Sequence, residues 1–259
     1  MAEPLVDERA PLGRRAASSV AAYLRARERE GRLYPDADVA RLPLVAPDHP
    51  LRDEWARRAD SAARLIEYVR RQSRPLAILD VGCGNGWLAH RLAEVPGSRV
   101  VGLDRNGLEL EQARRVFGAL PNLRFELGDA RQLARLDEPP DLVVLASVIQ
   151  YIADLSELID RLTARLAPAG EIHIVDSPLY RAAEVPAARE RTRRHYAALG
   201  VPEMAGAYRH HTWDELAGLP VEVLYEPHGL SNRLRRRVGR ATSPFPWLRL
   251  RPAAGEARP

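Results

Sequence analysis

The chain has 259 residues, a formal net charge of +4 and one cysteine, and all its basic residues are arginines. The absence of lysine excludes a Schiff-base nucleophile, a pyridoxal phosphate anchor and a P-loop lysine, and a lone Cys83 excludes an internal disulfide or a cysteine metal knuckle and agrees with a reducing compartment. No run of about 18 apolar residues and no secretory leader pattern is present, and acids nearly match bases, so a soluble cytoplasmic chain without a membrane or nucleic-acid partner is expected.

The first residues, to about Gly13, read as a loose end, and a helix is expected over Ser18–Glu30. Pro35, Pro43, Pro47 and Pro50 break the next stretch into an extended lid, and a helix follows over Leu51–Arg71 with Trp55, Ala59, Ala62, Leu65, Ile66 and Val69 on one face. Short apolar runs at Leu76–Val81, Val100–Leu103, Leu123–Leu127, Leu142–Ala146 and Glu171–Val175 then alternate with helical stretches near Gly86–Glu94, Gly107–Gly118 and Leu155–Leu166. This alternation predicts an α/β fold built on a doubly wound, mostly parallel sheet. Beyond Asp176 a helix is expected over Ala187–Ala198 and strands over Val221–Glu226 and Trp247–Arg251, separated by an arginine-rich segment, Arg233–Arg240. The expected division is a helical extension or lid over residues 1–73, the sheet domain over 74–252 and a disordered tail over 253–259.

The run from Ile78 to Leu88, a buried strand ending in Gly82, Gly84 and Gly86 before a helix, brings backbone close to a ligand at the carboxyl edge of the sheet. A plain turn needs fewer glycines, and a dinucleotide site needs G-x-G-x-x-G where this chain has G-x-G-x-G. Asp80, two residues before the first glycine, repels a pyrophosphate but suits an ammonium; its structural alternative is a cap on the loop amides, and the two roles are compatible.

Leu79–Leu88 resembles motif I of the class I S-adenosylmethionine-dependent methyltransferases, and Val101–Asp104, Gly128–Ala130 and Asp141–Ser147 resemble the following strand ends of that family. The resemblance covers roughly Pro75–Asp176. It implies a Rossmann-like, seven-stranded sheet with one antiparallel strand, S-adenosylmethionine as cofactor and transfer of a methyl group to a small-molecule acceptor. By the same resemblance Asp80, Gly82, Cys83, Gly84, Asn85 and Gly86 surround the methionine end. Asp104 takes the ribose hydroxyls, Arg105 and Asn106 flank the adenine, Asp129 binds its amino group beside Ala130, and Ser147 lies under the methyl.

Methyl transfer is an in-line displacement that requires alignment and no metal. Cytosine-5 chemistry is excluded because Cys83 lies inside the glycine loop, and Ser147–Tyr151 lacks the Pro-Pro-aromatic signature of amino-methylating nucleic-acid enzymes. Candidate bases or acceptor-side groups are Tyr151, His195, Tyr196, His210 and His211. Each has a structural alternative, and at most one of the adjacent histidines acts. Tyr34, Trp55 and Arg58 are candidate lid residues, and Asp176–Tyr180 a substrate-side loop. Arg235, Arg236, Arg237 and Arg240 form a solvated face or an anion contact, without the interleaved aromatics of single-strand binders. An NAD-dependent oxidoreductase, an RNA methyltransferase and a non-catalytic binding module are the competing readings.

Overall fold

A computed structural model describes residues 12–129, 138–237, 239 and 241–251. The expected loose end up to Pro11, Ala130, Arg240 and the expected tail fall outside the described residues.

Strands β1 (Leu76–Val81), β2 (Ser98–Asp104), β3 (Leu123–Leu127), β4 (Leu142–Ala146), β5 (Glu171–Val175), β6 (Val221–Tyr225) and β7 (Trp247–Leu250) form one sheet in the order β3-β2-β1-β4-β5-β7-β6. β7 runs antiparallel to both neighbours and the other pairings are parallel. Every residue of β1 is buried, as a central strand covered on both faces requires.

The helices between the strands supply that cover. On one face, α3 (Arg52–Arg71), α4 (Trp87–Ala93) and α5 (Gly107–Phe117) pack Leu65, Leu92 and Leu110 among Leu76, Ile78 and Val100. On the other, α6 (Leu155–Thr163) buries Leu155, Leu158, Ile159 and Leu162 against Leu79, Val143 and Ile172. Its start is fixed by Asp154, whose side chain accepts from the Glu157 N–H at 2.8 Å. It ends three residues before the expected Leu166, as the chain nears Pro168.

Residues 34–50 are not wholly extended: Asp36–Val39 form a short helix, α2. This strap is fastened by Gln112 Nε2, which donates to the Tyr34 carbonyl at 2.7 Å, by Arg115 pairing with Asp36, and by Arg91 donating to the Leu42 carbonyl.

The chain divides into two compact units, and they do not part near residue 73. The described residues between 34 and 185 and between 209 and 251 group together, because α3 shares a core with β1. The second unit contains residues 12–33 and 186–208: α1 (Leu12–Arg29), nearly all of α7 (Val185–Ala198) and α8 (Met204–Ala207). Within it Arg25 pairs with Glu203 at 2.6 Å and Arg29 donates to the Leu199 carbonyl. Part of the arginine-rich segment, to which the sequence assigns no element, is a helix, α9 (Leu230–Arg237). Among the described residues no helix is long and apolar enough to cross a membrane.

A buried polar network ties α3 to the sheet. Trp247 Nε1 donates to His173 Nδ1 at 2.9 Å, which leaves the histidine proton on Nε2, 3.0 Å from Glu171 Oε2. Tyr68 and Arg251 also donate to Glu171. Burial pushes the Glu171 carboxyl up, but these donors outweigh it and hold the group at about 2. Because that value lies below the ordinary 4.5, its stabilisation is present above pH 4.5 and lost as pH falls toward 2. Glu171→Gln is expected to lower the unfolding free energy by about 2–4 kcal/mol at neutral pH. Urea titrations should show that deficit shrinking between pH 4.5 and 2; an unchanged midpoint at pH 7 contradicts the network's role.

Candidate functional site

The carboxyl ends of β1, β2 and β4 meet at the glycine loop. Gly82 and Gly84 have φ of 73° and 54°, in the left-handed region. A Cβ at Gly82 would lie 2.2 Å from Val148 Cγ2, so this glycine lets the loop after β4 close against the loop after β1. A Cβ at Gly84 would meet nothing nearer than the Glu109 carboxylate at 3.6 Å. That is ordinary contact distance, so Gly84 is required by its left-handed φ and not by crowding. Gly86 caps α4, and Asn85 Oδ1 accepts from Trp87 N–H at 3.4 Å. Cys83 turns its thiol into the core, where burial pushes it well above its ordinary range, and its amide and carbonyl bond Leu103 and Gly86. Cys83 is thus committed to packing, as Gly82 is against Val148 and Gly86 against Phe125.

Asp80 is 1% exposed. Burial pushes its carboxyl up to about 7, reinforced by the charge of Asp104 and opposed by the Ala89 N–H. Its Oδ2 has no hydrogen-bond partner. Asp104 is raised by burial and held by backbone donors: Gly84 N–H on Oδ2 and Asn106 N–H on Oδ1, each at 2.8 Å. A carboxylate offers about four acceptor positions, so Asp104 keeps capacity after fixing both turns. Asn106 Nδ2 donates to Glu109 at 2.9 Å while its Oδ1, like Gln150 Oε1, is buried without a partner. These three oxygens stand at or just beyond the ends of β1, β2 and β4. They suit a ligand rich in N–H and O–H donors and carrying positive charge. Arg105 Nε lies 3.5 Å from Asp129.

The ends of β4 and β5 share an unusual feature: Ser147 and Asp176 are non-glycine residues with φ of 54° and 50°. They are stitched together, Ser147 Oγ donating to the Asp176 carbonyl at 3.0 Å. Asp176 Oδ1 accepts from Ser61 and Ser243, each at 2.7 Å, while burial raises its carboxyl. Beyond Ser147, a 3-10 turn, Ile149–Tyr151, presents Tyr151 half-buried. Gln150 Nε2 donates to the Ser147 carbonyl at 2.7 Å.

The histidine pair fastens that turn. His211 Nε2 donates to the carbonyls of Ile149 at 2.9 Å and Ile152 at 3.0 Å, and Nδ1 lies 2.7 Å from Glu215. Both ring nitrogens are engaged, so His211 positions the turn and is not a free base. The His210 ring is buried 5.5 Å from that of Tyr180. His195 and Tyr196 belong to the smaller helical unit, where His195 Nε2 lies 3.0 Å from Glu30 Oε1 and Tyr196 is buried. Asp80, Asp104, Asp129, Ser147, Tyr151, His210 and His211 all lie in the sheet-bearing unit. Asp176, which opens the expected substrate-side loop, lies in the same unit, and Gln150 joins them as a polar group for which no motif in the sequence speaks.

Comparison with known proteins bears on this geometry. A family model described as a methyltransferase domain matches residues 72–221. A trans-aconitate 2-methyltransferase of Variovorax paradoxus is 40% identical over 98 residues, 38% of this chain and 37% of that protein. One from Methylobacterium radiotolerans is 35% identical over 155 residues, 58% of this chain and 56% of that protein. The chain thus spans less than two thirds of the length of either relative. An O-methyltransferase family protein from Burkholderia thailandensis, 17% identical, shares the fold with a TM-score of 0.53 over 93% of this chain and 73% of that one.

Two outcomes follow from the site itself. Since the folded pKa of Asp80 lies near 7, above the ordinary 3.8, stability should decline as pH rises from about 4 to 7 and the full cost persist above. Asp80→Asn, without ligand, should melt higher than wild type at pH 8 and lose that advantage near pH 4; equal melting at both pH values contradicts the buried charge. His211→Ala, which removes a donor from both carbonyls and leaves Ile149 only the Ile152 N–H, should cost about 1–3 kcal/mol and speed amide exchange across residues 149–152, and unaltered exchange there argues against the clamp.

Proposed function

Because the chain belongs to the methyltransferase-domain family, we propose that it transfers a methyl group from S-adenosylmethionine to a small molecule. The observation that carries this reading is the partnerless Oδ2 of buried Asp80 beneath the left-handed glycine loop at Gly82 and Gly84. When bound, S-adenosylmethionine supplies an electrophilic methyl on a positively charged sulfur. The chain's own residues bind and orient. Asp80 takes the amino group, whose positive charge favours the ionised carboxylate that burial otherwise disfavours. Asp104 uses its remaining acceptor capacity for ribose hydroxyls, and Asp129, beside Arg105, takes the adenine amino group. Trp55 and Trp87, edge to face with centroids 5.5 Å apart, shield the glycine loop from water.

On the acceptor side, the turn holding Tyr151 and the ring of His210 form a wall fixed by His211. With His211 committed to that clamp, the site favours an acceptor that arrives deprotonated. A carboxylate oxygen answers this description, since at neutral pH it needs alignment and no base. The two relatives named for trans-aconitate make that tricarboxylate the first acceptor to test.

Calorimetry is expected to show S-adenosylhomocysteine binding to the wild-type chain, with Asp104→Ala weakening it by about 1–3 kcal/mol; no binding to the wild type contradicts the donor assignment. Methyl-labelled donor incubated with trans-aconitate or a cell extract should label small acids. Label in RNA would instead favour a nucleic-acid acceptor, and tight binding without any transfer a non-catalytic module.

A further inference from the structure

Besides the Tyr68 network, two contacts hold the first half of helix α3 at the carboxyl edge of the sheet. Near its start the Trp55 ring packs edge-on against Trp87, the first residue of α4 after the glycine loop. Two turns later Ser61 donates to Asp176 at the end of β5. In the sheet, β4 lies between β1 and β5. Arg58 stands three residues from each anchor, on the span between the glycine loop and Asp176, and its charge acts on the Asp176 carboxyl.

The guanidinium is prepared for a ligand. Its Cζ lies 5.4 Å from the Trp55 ring centroid and its Nε donates to Glu54 at 3.0 Å, so one edge and one face are fixed. Neither Nη group bonds any described residue, and the side chain is 23% exposed. Nearby Arg64 differs: it is spent on Asp60 and Ser61 and lies over the Tyr225 ring at 3.9 Å.

Asp80, Asp104 and Asp176 place three carboxylates at strand ends along this edge. A ligand carboxylate entering among them is repelled unless a cation meets it. An amino acid whose ammonium sits on Asp80 brings its own carboxylate only two bonds away, and an acidic acceptor brings another.

We infer that Arg58 is the carboxylate-binding residue of this crevice, its two Nη groups taking a ligand carboxylate end-on, from the methionine moiety of the donor or from the acceptor. A planar fork with its Nε edge already occupied presents that bidentate face and no other. The inference rests on the donor reading above and extends it to the anionic part of the ligand.

Calorimetry of the full chain and Arg58→Gln, with S-adenosylhomocysteine and its decarboxylated analogue, separates the cases. A donor carboxylate predicts that the variant binds S-adenosylhomocysteine at least about tenfold more weakly yet binds the decarboxylated analogue as wild type does, which also shows that it is folded. An acceptor carboxylate predicts unchanged S-adenosylhomocysteine affinity and a similar loss for trans-aconitate added to the loaded protein. Equal affinities of both proteins for all three compounds overturn the inference, as does equal weakening of S-adenosylhomocysteine and its decarboxylated analogue. A wild-type chain that binds no S-adenosylhomocysteine overturns the donor reading and this inference together, and is told apart because the failure precedes any substitution.

Discussion

A carboxylate buried beneath a glycine loop with one oxygen left without a donor is the constraint around which the sheet-bearing unit is arranged. Asp80 is shut off from bulk solvent, and its ionised form is costly until something positive or donating reaches Oδ2. A core position that needed only packing would hold a leucine at this point. The fold retains the acid, and the cost is sustained by the parallel sheet around it, whose central strand is buried along its whole length.

Neighbouring elements are tied to that point by side chains that bond or pack against backbone. Asp104 couples the glycine loop to the turn after β2 by accepting from Gly84 and Asn106. Val148 closes against Gly82, so the loops after β1 and β4 cannot move independently. Ser147 and Asp176, both in the left-handed region and joined by a hydrogen bond, extend the edge toward α3. His211 then fixes the turn that carries Tyr151. A crevice built this way orients ligands by prearranged dipoles and charges, which is where a displacement at a sulfonium gains its advantage.

The sheet was legible in the sequence because its physics is local. β1, β3, β4 and β5 keep the expected bounds, since each is a short apolar run closed by proline, glycine or a polar turn, and Asp80, Asp104 and Asp129 stand out as acids at successive strand ends. What stayed hidden depends on distant partners. The strap over residues 34–50 reads as extended from its prolines, and only its bonds to α4 and α5 show how it is held. Helix α9 has exposed leucines at 230 and 234 amid arginines, so no buried face announces it. His211 looks like a base until Ile149 and Ile152, some sixty residues earlier in the chain, occupy its Nε2. The strained conformations of Ser147 and Asp176 leave no compositional mark because neither is glycine. The pairing of residues 12–33 with 186–208 is likewise a matter of chain folding, which periodicity does not encode.

The most direct test is a crystal structure of the chain with S-adenosylhomocysteine. The account predicts that the amino group is hydrogen-bonded to the Asp80 carboxylate, directly or through one ordered water, with the Gly82–Gly86 backbone around it. A ligand seated elsewhere, or an Asp80 that gains no new donor on binding, contradicts it.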